Sequence, residues 1–137
     1  MNEEKRKRLE ELRLADAKRQ QARESEAEDL ELERLELVDK LEKEHGPQGR
    51  AFEVVDATDL GEGFFAVKLG PSVHYAKIKA SKVTDADLHG FIAPNLVFPS
   101  VEQFAEVCGR RPIVRDRVGL ALHGLYGDKA TTLAKKA

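Results

Sequence analysis

The chain has 137 residues, with 23 Lys and Arg set against 25 Asp and Glu for a formal net charge of -2. Both halves mix the two signs, so no basic field exists that would by itself attract nucleic acid or an anionic membrane. A single cysteine, Cys108, cannot close an internal disulfide, and the charged N-terminus holds no apolar run long enough for a signal peptide or a spanning helix, which makes the cytoplasm the natural compartment.

Charge is unevenly placed along the chain. Residues 1–49 hold 15 of the 25 acidic and 11 of the 23 basic side chains and no aromatic. After Met1 their only large apolar residues are Leu9, Leu12, Leu14, Leu30, Leu32, Leu35, Leu37, Val38 and Leu41. From position 3 to position 44 there is no Gly or Pro, and good helix formers dominate. Glu3/Lys7, Glu4/Arg8, Glu36/Lys40 and Asp39/Lys43 are acid-first pairs at the spacing that supports an exposed helix. His45-Gly46-Pro47 supplies the stop. The expectation is one charged helix over residues 1–46, about 60 Å long at the usual rise. Leu30, Leu37 and Leu41 form a stripe on it, but no sustained heptad is present. The stripe either packs on the following domain or docks on a partner helix.

The period changes at residue 51. Phe52, Val54 and Val55, then Phe64 to Val67, then Val73, Tyr75 and Ile78 read as three short strands, divided by Asp59-Leu60-Gly61-Glu62-Gly63 and Gly70-Pro71-Ser72. An antiparallel meander is the simplest arrangement. Thr84-x-x-Asp87 opens a helix through Leu88, Phe91 and Ile92 as far as Pro94. Ser100-x-x-Gln103 opens a second, through Phe104 and Val107, which Gly109 can end. A third starts near Pro112 and sets Val114, Val118, Ala121, Leu122 and Leu125 on one face before Gly127. The predicted fold is therefore α+β: a long charged N-terminal helix, then a small domain over residues 47–127 with a three-stranded meander and three short helices, and a flexible tail over 128–137.

Candidate catalytic and cofactor motifs fail in their context. Gly61-Glu62-Gly63-Phe64-Phe65-Ala66 has dinucleotide-fingerprint spacing, yet β-branched and aromatic residues follow instead of a helix that would hold a pyrophosphate. Gly124-Leu125-Tyr126-Gly127-Asp128-Lys129 has the wrong glycine spacing for a P-loop and reads as a helix end. His45, His74, His89 and His123 are scattered, without metal-ligand spacing. Asp85 and Asp87 suit a first helical turn. Cys108 sits among apolar residues without a neighbouring base and reads as a small core residue. The reading is a non-enzymatic protein that needs no cofactor or metal and acts by binding other proteins. Arg110, Arg111, Arg115 and Arg117 form the one local basic cluster of the second part; they either meet nearby carboxylates or line a groove for phosphates or an acidic segment.

Residues 83–127 resemble the tail assembly chaperones of long-tailed bacteriophages. The resemblance lies in the helix over 84–92 ending in Ala93-Pro94-Asn95-Leu96-Val97-Phe98-Pro99, then Ser100-Val101-Glu102-Gln103-Phe104, then Arg111-Pro112 and the Ala121-Leu122-x-x-Leu125-x-Gly127 ending. It implies a protein that coats the tape measure protein, keeps its apolar helices from aggregating, recruits tail tube subunits, and forms homo-oligomers on that client in the host cytoplasm. A holdase needs apolar contact surface, for which Phe91, Ile92, Leu96, Val97, Phe98 and Phe104 are candidates beside Leu30, Leu37 and Leu41, with Arg111 and Arg115 as charged contacts. Two other readings remain open: a virion or baseplate component docked through its long helix, and a small DNA-binding regulator using the arginine-rich helix.

Overall fold

A computed structural model describes residues 2–71 and 84–136, with side chains as far as residue 127. The chain divides into two compact units, Met1–Leu37 and Val38–Ala137. The first is helical from Glu3 onward: α1 spans Glu3–His45, so its last turns belong to the second unit. Asn2 opens it, its Oδ1 accepting from the Lys5 amide at 2.9 Å. Of the acid-first pairs, Asp39 and Lys43 meet at 2.9 Å. The end is made as the sequence suggests. Gly46 takes φ +114°, which a side chain would disfavour, and its amide donates to the Glu42 carbonyl.

In the second unit, β1 (Phe52–Asp56) and β2 (Phe64–Lys68) pair antiparallel, with Val55 opposite Phe65 and Phe52 opposite Lys68. Their connection is a 3-10 turn over Thr58–Leu60 that Gly61 closes at φ +77°. β3 (Leu96–Phe98) adds antiparallel to the other edge of β2, giving the order β1-β2-β3 with an irregular register at Ala66/Val67. The third strand of this sheet is thus a segment that reads as a connection in the sequence. A three-residue strand is too short to display a two-residue period, and its pairing depends on β2 rather than on local preference. The run holding Val73, Tyr75 and Ile78 lies outside the described residues.

Three helices complete the unit: α2 (Asp85–Ile92), α3 (Val101–Arg110) and α4 (Pro112–Lys136). The Thr84 capping box is fully formed, with the Asp87 amide donating to Thr84 Oγ1 at 3.1 Å and the Thr84 amide to Asp87 Oδ2 at 3.3 Å. Ser100 Oγ caps α3 by accepting from the Gln103 amide at 3.3 Å. Two expected stops do not act. Gly109 lies inside α3, whose end comes at Arg111, held out of helical geometry by the proline that follows. Gly127 lies inside α4, which runs 25 residues to Lys136 and is not short. A helical glycine costs only about 1 kcal/mol against alanine, so without a proline behind it the chain continues.

The core sits between one face of the sheet and the helices. Val55, Phe65 and Val67 meet Phe91 and Ile92 of α2, Phe104 and Cys108 of α3, and Val114, Val118, Leu122, Leu125 and Tyr126 of α4. Phe65 and Phe104 contact edge to face at 5.8 Å. The opposite sheet face carries Phe52, Phe64 and Ala66, which are also buried, as is Leu41 of α1. Where β2 leaves the sheet, the Gly70 amide donates to the Tyr126 hydroxyl at 3.0 Å and that hydroxyl donates to the Pro71 carbonyl at 3.2 Å. Burial pushes the Tyr126 hydroxyl above its ordinary pKa, keeping it a donor.

Two neighbouring leucines of α4 test this placement: Leu122 is 0 % exposed and Leu120 74 %. Leu122→Ala is expected to lower unfolding free energy by about 2–5 kcal/mol in urea titrations, and Leu120→Ala to change it by no more than about 0.5 kcal/mol. Equal effects would contradict the assignment of the buried face.

Candidate functional site

The apolar residues nominated by sequence divide into two classes. Phe91, Ile92 and Phe104 are core residues, and Leu41 is buried as well, so none of them presents a contact surface. Leu96 and Val97 in β3 and Leu30 and Leu37 on α1 are half-buried. Of the large apolar residues in the stretch 91–104, only Phe98, 40 % exposed, and Val101 reach the surface. The reason is local: α2 and α3 are amphipathic, and their aromatic residues occupy the inward face required by the sheet.

Surface leucines are instead concentrated on α1. Leu9, Leu12, Leu14, Leu32 and Leu35 are all exposed, with Leu12 at 51 %. In the second unit Ile113 and Leu120, which the sequence reading did not single out, are exposed on α4. Their signal was present as an i,i+7 pair set one or two positions off the buried stripe of Val114, Val118 and Leu122. Phe98, Val101, Ile113 and Leu120 are the exposed large apolar residues described in this unit.

The arginine cluster is largely engaged by carboxylates. Arg110 donates to Glu62 at 3.0 Å and to Glu106 at 3.4 Å, and Arg111 stands 3.9 Å from the same Glu62. Arg117 grips Asp59 with both terminal nitrogens at 2.7 and 2.8 Å, the planar fork that carboxylates favour. Arg115 lies 4.0 Å from Asp85. Asp59 and Glu62 come from the β1–β2 connection, roughly fifty residues earlier in the chain, so sequence proximity gave no hint of them. A phosphate approaching this surface has to compete with carboxylates already in place, which weighs against a nucleic-acid groove. Gly61 and Gly63 lead straight into β2, and Gly124 and Gly127 lie in the middle of α4, so neither stretch forms a phosphate-binding loop.

At the junction of α2, α3 and α4, His89 stacks on Phe104 with ring centroids 5.8 Å apart. Its Nδ1 and the Arg115 Nε are buried without a hydrogen-bond partner among the described residues. Cys108 is buried in the same layer of the core. Burial raises its thiol above the ordinary pKa, opposed by the nearby Arg115 charge. A thiol held protonated is a poor nucleophile, in keeping with a packing role. Among the described residues no group of three or more His, Cys, Asp or Glu could hold a metal ion, and no helix is long and apolar enough to cross a membrane.

Comparison with known proteins finds no matching family model, no matching curated protein and no matching solved structure. The surface therefore has to be read on its own chemistry.

Two measurements check these assignments. The Arg117 hydrogen bonds hold the Asp59 carboxyl below its ordinary value of 3.8. Because the folded value is the lower one, the pair's contribution is present above the unfolded pKa and is lost as pH falls through the folded pKa. Arg117→Gln is expected to return Asp59 toward 3.8 in a carboxyl NMR titration, and an unchanged value would contradict the pairing. Cys108 should resist a thiol reagent such as dithionitrobenzoate in the folded chain and react fully in denaturant. Rapid labelling of the native protein would show that it is accessible.

Proposed function

We propose that this chain is a non-enzymatic protein-binding factor and, in its most specific form, a phage tail assembly chaperone that holds the tape measure protein and helps recruit tail tube subunits. The observation that carries the reading is the exposure of Leu9, Leu12, Leu14, Leu32 and Leu35 on a helix made mostly of charged residues. Leucines that build no core of their own lose water contact only by meeting another protein, at about 25 cal/mol for each Å² covered. The charged side chains between them keep the unloaded protein dispersed and turn their methylene stems toward an apolar client.

An aggregation-prone helical client suits such a surface. Its apolar stripes would be covered by α1 leucines and, on the second unit, by Phe98, Val101, Ile113 and Leu120. Binding distributed over many modest contacts can be released when client helices find their final partners, which a transient holder requires. The resemblance of residues 83–127 to tail assembly chaperones supports the identity of the client; the exposed leucines support only the manner of binding.

The same helix also favours a second reading, a virion or baseplate component permanently docked through α1. Its 43 residues form one uninterrupted helix, longer than a small domain needs for its own packing. A DNA-binding regulator is the weakest reading, since the arginines it would use already face carboxylates.

Co-expression with a tape measure protein separates these readings. The chaperone reading expects a soluble complex that is lost when Leu14, Leu32 and Leu35 are replaced by Glu, while the thermal unfolding of the second unit is unchanged. An insoluble tape measure protein in the presence of the wild-type chain would overturn it. Recovery of the chain from purified mature particles would favour the docked structural component instead.

A further inference from the structure

The charges of α1 are sorted by sign along its length. Residues 5–23 carry eight basic and three acidic side chains, a net of +5. Residues 24–36 carry seven acidic and one basic, a net of -6. Each segment has its own leucines: Leu9, Leu12 and Leu14 in the basic one, Leu30, Leu32 and Leu35 in the acidic one. Most of these are exposed, and between them residues 15–29 offer only alanines as apolar contacts.

Within the acidic segment neighbours one turn apart are mostly of like charge, Glu24 with Glu28 and Asp29 with Glu33 among them, which destabilises an isolated helix, whereas the basic segment sets Glu10, Glu11 and Asp16 one turn from its cations. The arrangement becomes favourable when a second copy lies alongside in the opposite direction. We infer that α1 pairs with α1 of a second copy of this chain as an antiparallel helical dimer, the basic segment of each lying against the acidic segment of the other. A parallel pair in register would set +5 against +5 and -6 against -6. The antiparallel pair sets opposite signs together at both ends and also opposes the two helix dipoles.

Leucine spacing agrees with this orientation. Leu9, Leu30 and Leu37 differ by multiples of seven, and Leu12 lies three beyond Leu9, so all four fall on one stripe of the helix. Reversing one copy and crossing the helices near residue 21 brings Leu12 of each copy level with Leu30 of the other. The middle of the stripe is polar, with Asp16, Arg19, Arg23 and Glu26 on it. Because only the two ends of the interface carry leucines, much of its strength comes from charge, and the dimer is therefore salt-sensitive. Leu14, Leu32 and Leu35 fall on another face of the helix, so the pairing leaves them open to a client.

The experiment uses the full chain. Sedimentation equilibrium at low ionic strength should give twice the 15.3 kDa chain mass, with the dissociation constant rising about tenfold or more between 0.05 and 0.5 M NaCl. In a Cys108→Ser background, Leu12→Cys and Leu30→Cys variants are oxidised separately and as a mixture. The proposal expects a disulfide-linked dimer from the mixture, and little from either variant alone. Cross-linking of each variant with itself would establish a parallel pair and overturn the proposal. It is equally overturned by a monomer at all concentrations up to about 1 mM, or by a dimer that persists without cross-linking in the mixture.

Discussion

Helix α4 meets every other layer of the second unit, and its apolar stripe is the constraint on which that unit depends. Val114, Val118, Leu122 and Leu125 follow the helical period, and the side chains they bury come from both β1 and β2 and from α2 and α3. Each large apolar side chain withdrawn from water contributes about 1.5–3 kcal/mol, set against the entropy of ordering it. Gly119 belongs to the same constraint. A Cβ there would stand 2.7 Å from Leu88 Cδ1, so the glycine lets α2 come close to α4. An inward-facing set this complete leaves little apolar material for the surface, which is why Phe91, Ile92 and Phe104 are unavailable to a partner.

Charge reinforces the same geometry from outside the core. Asp59 and Glu62, in the connection that joins β1 to β2, hold Arg117 of α4 and Arg110 at the end of α3. Exposed ion pairs of this kind contribute modestly to stability, but they fix where the connection lies over the helices. They also take up the guanidinium groups that would otherwise form a basic patch. Packing and charge thus leave the described residues of the second unit with few exposed large apolar side chains, while Leu9, Leu12, Leu14, Leu32 and Leu35 of α1 are exposed.

How far the sequence revealed this depends on the range of the signal. The long helix, the two capping motifs and the strands at Phe52 and Phe64 were legible because each is written in neighbouring residues: a helical composition, a side chain three positions from the amide it caps, a short β-branched run. The strand Leu96–Phe98 was not, since it exists through pairing with residues thirty positions earlier. Glycine misled at Gly109 and Gly127 because it weakens a helix without forbidding it, whereas Pro112 forbids it at the preceding residue. For the site, apolarity identified contact-capable residues but not the direction in which they face. The partners of Arg110 and Arg117 were invisible for the same reason as β3, being distant in sequence and near in space.

The central claim is that the second unit folds around α4 by its own core while residues before Val38 serve to bind. Every buried apolar side chain described lies at or beyond Leu41, and both tyrosines belong to the second unit. The most direct test is urea unfolding of residues 38–137 alone and of the whole chain, followed by tyrosine fluorescence at micromolar concentration. The account predicts cooperative transitions with coincident midpoints. A truncated chain that unfolds without cooperativity, or at a clearly lower midpoint, would contradict it, because the first 37 residues would then be part of the core and not a free binding element.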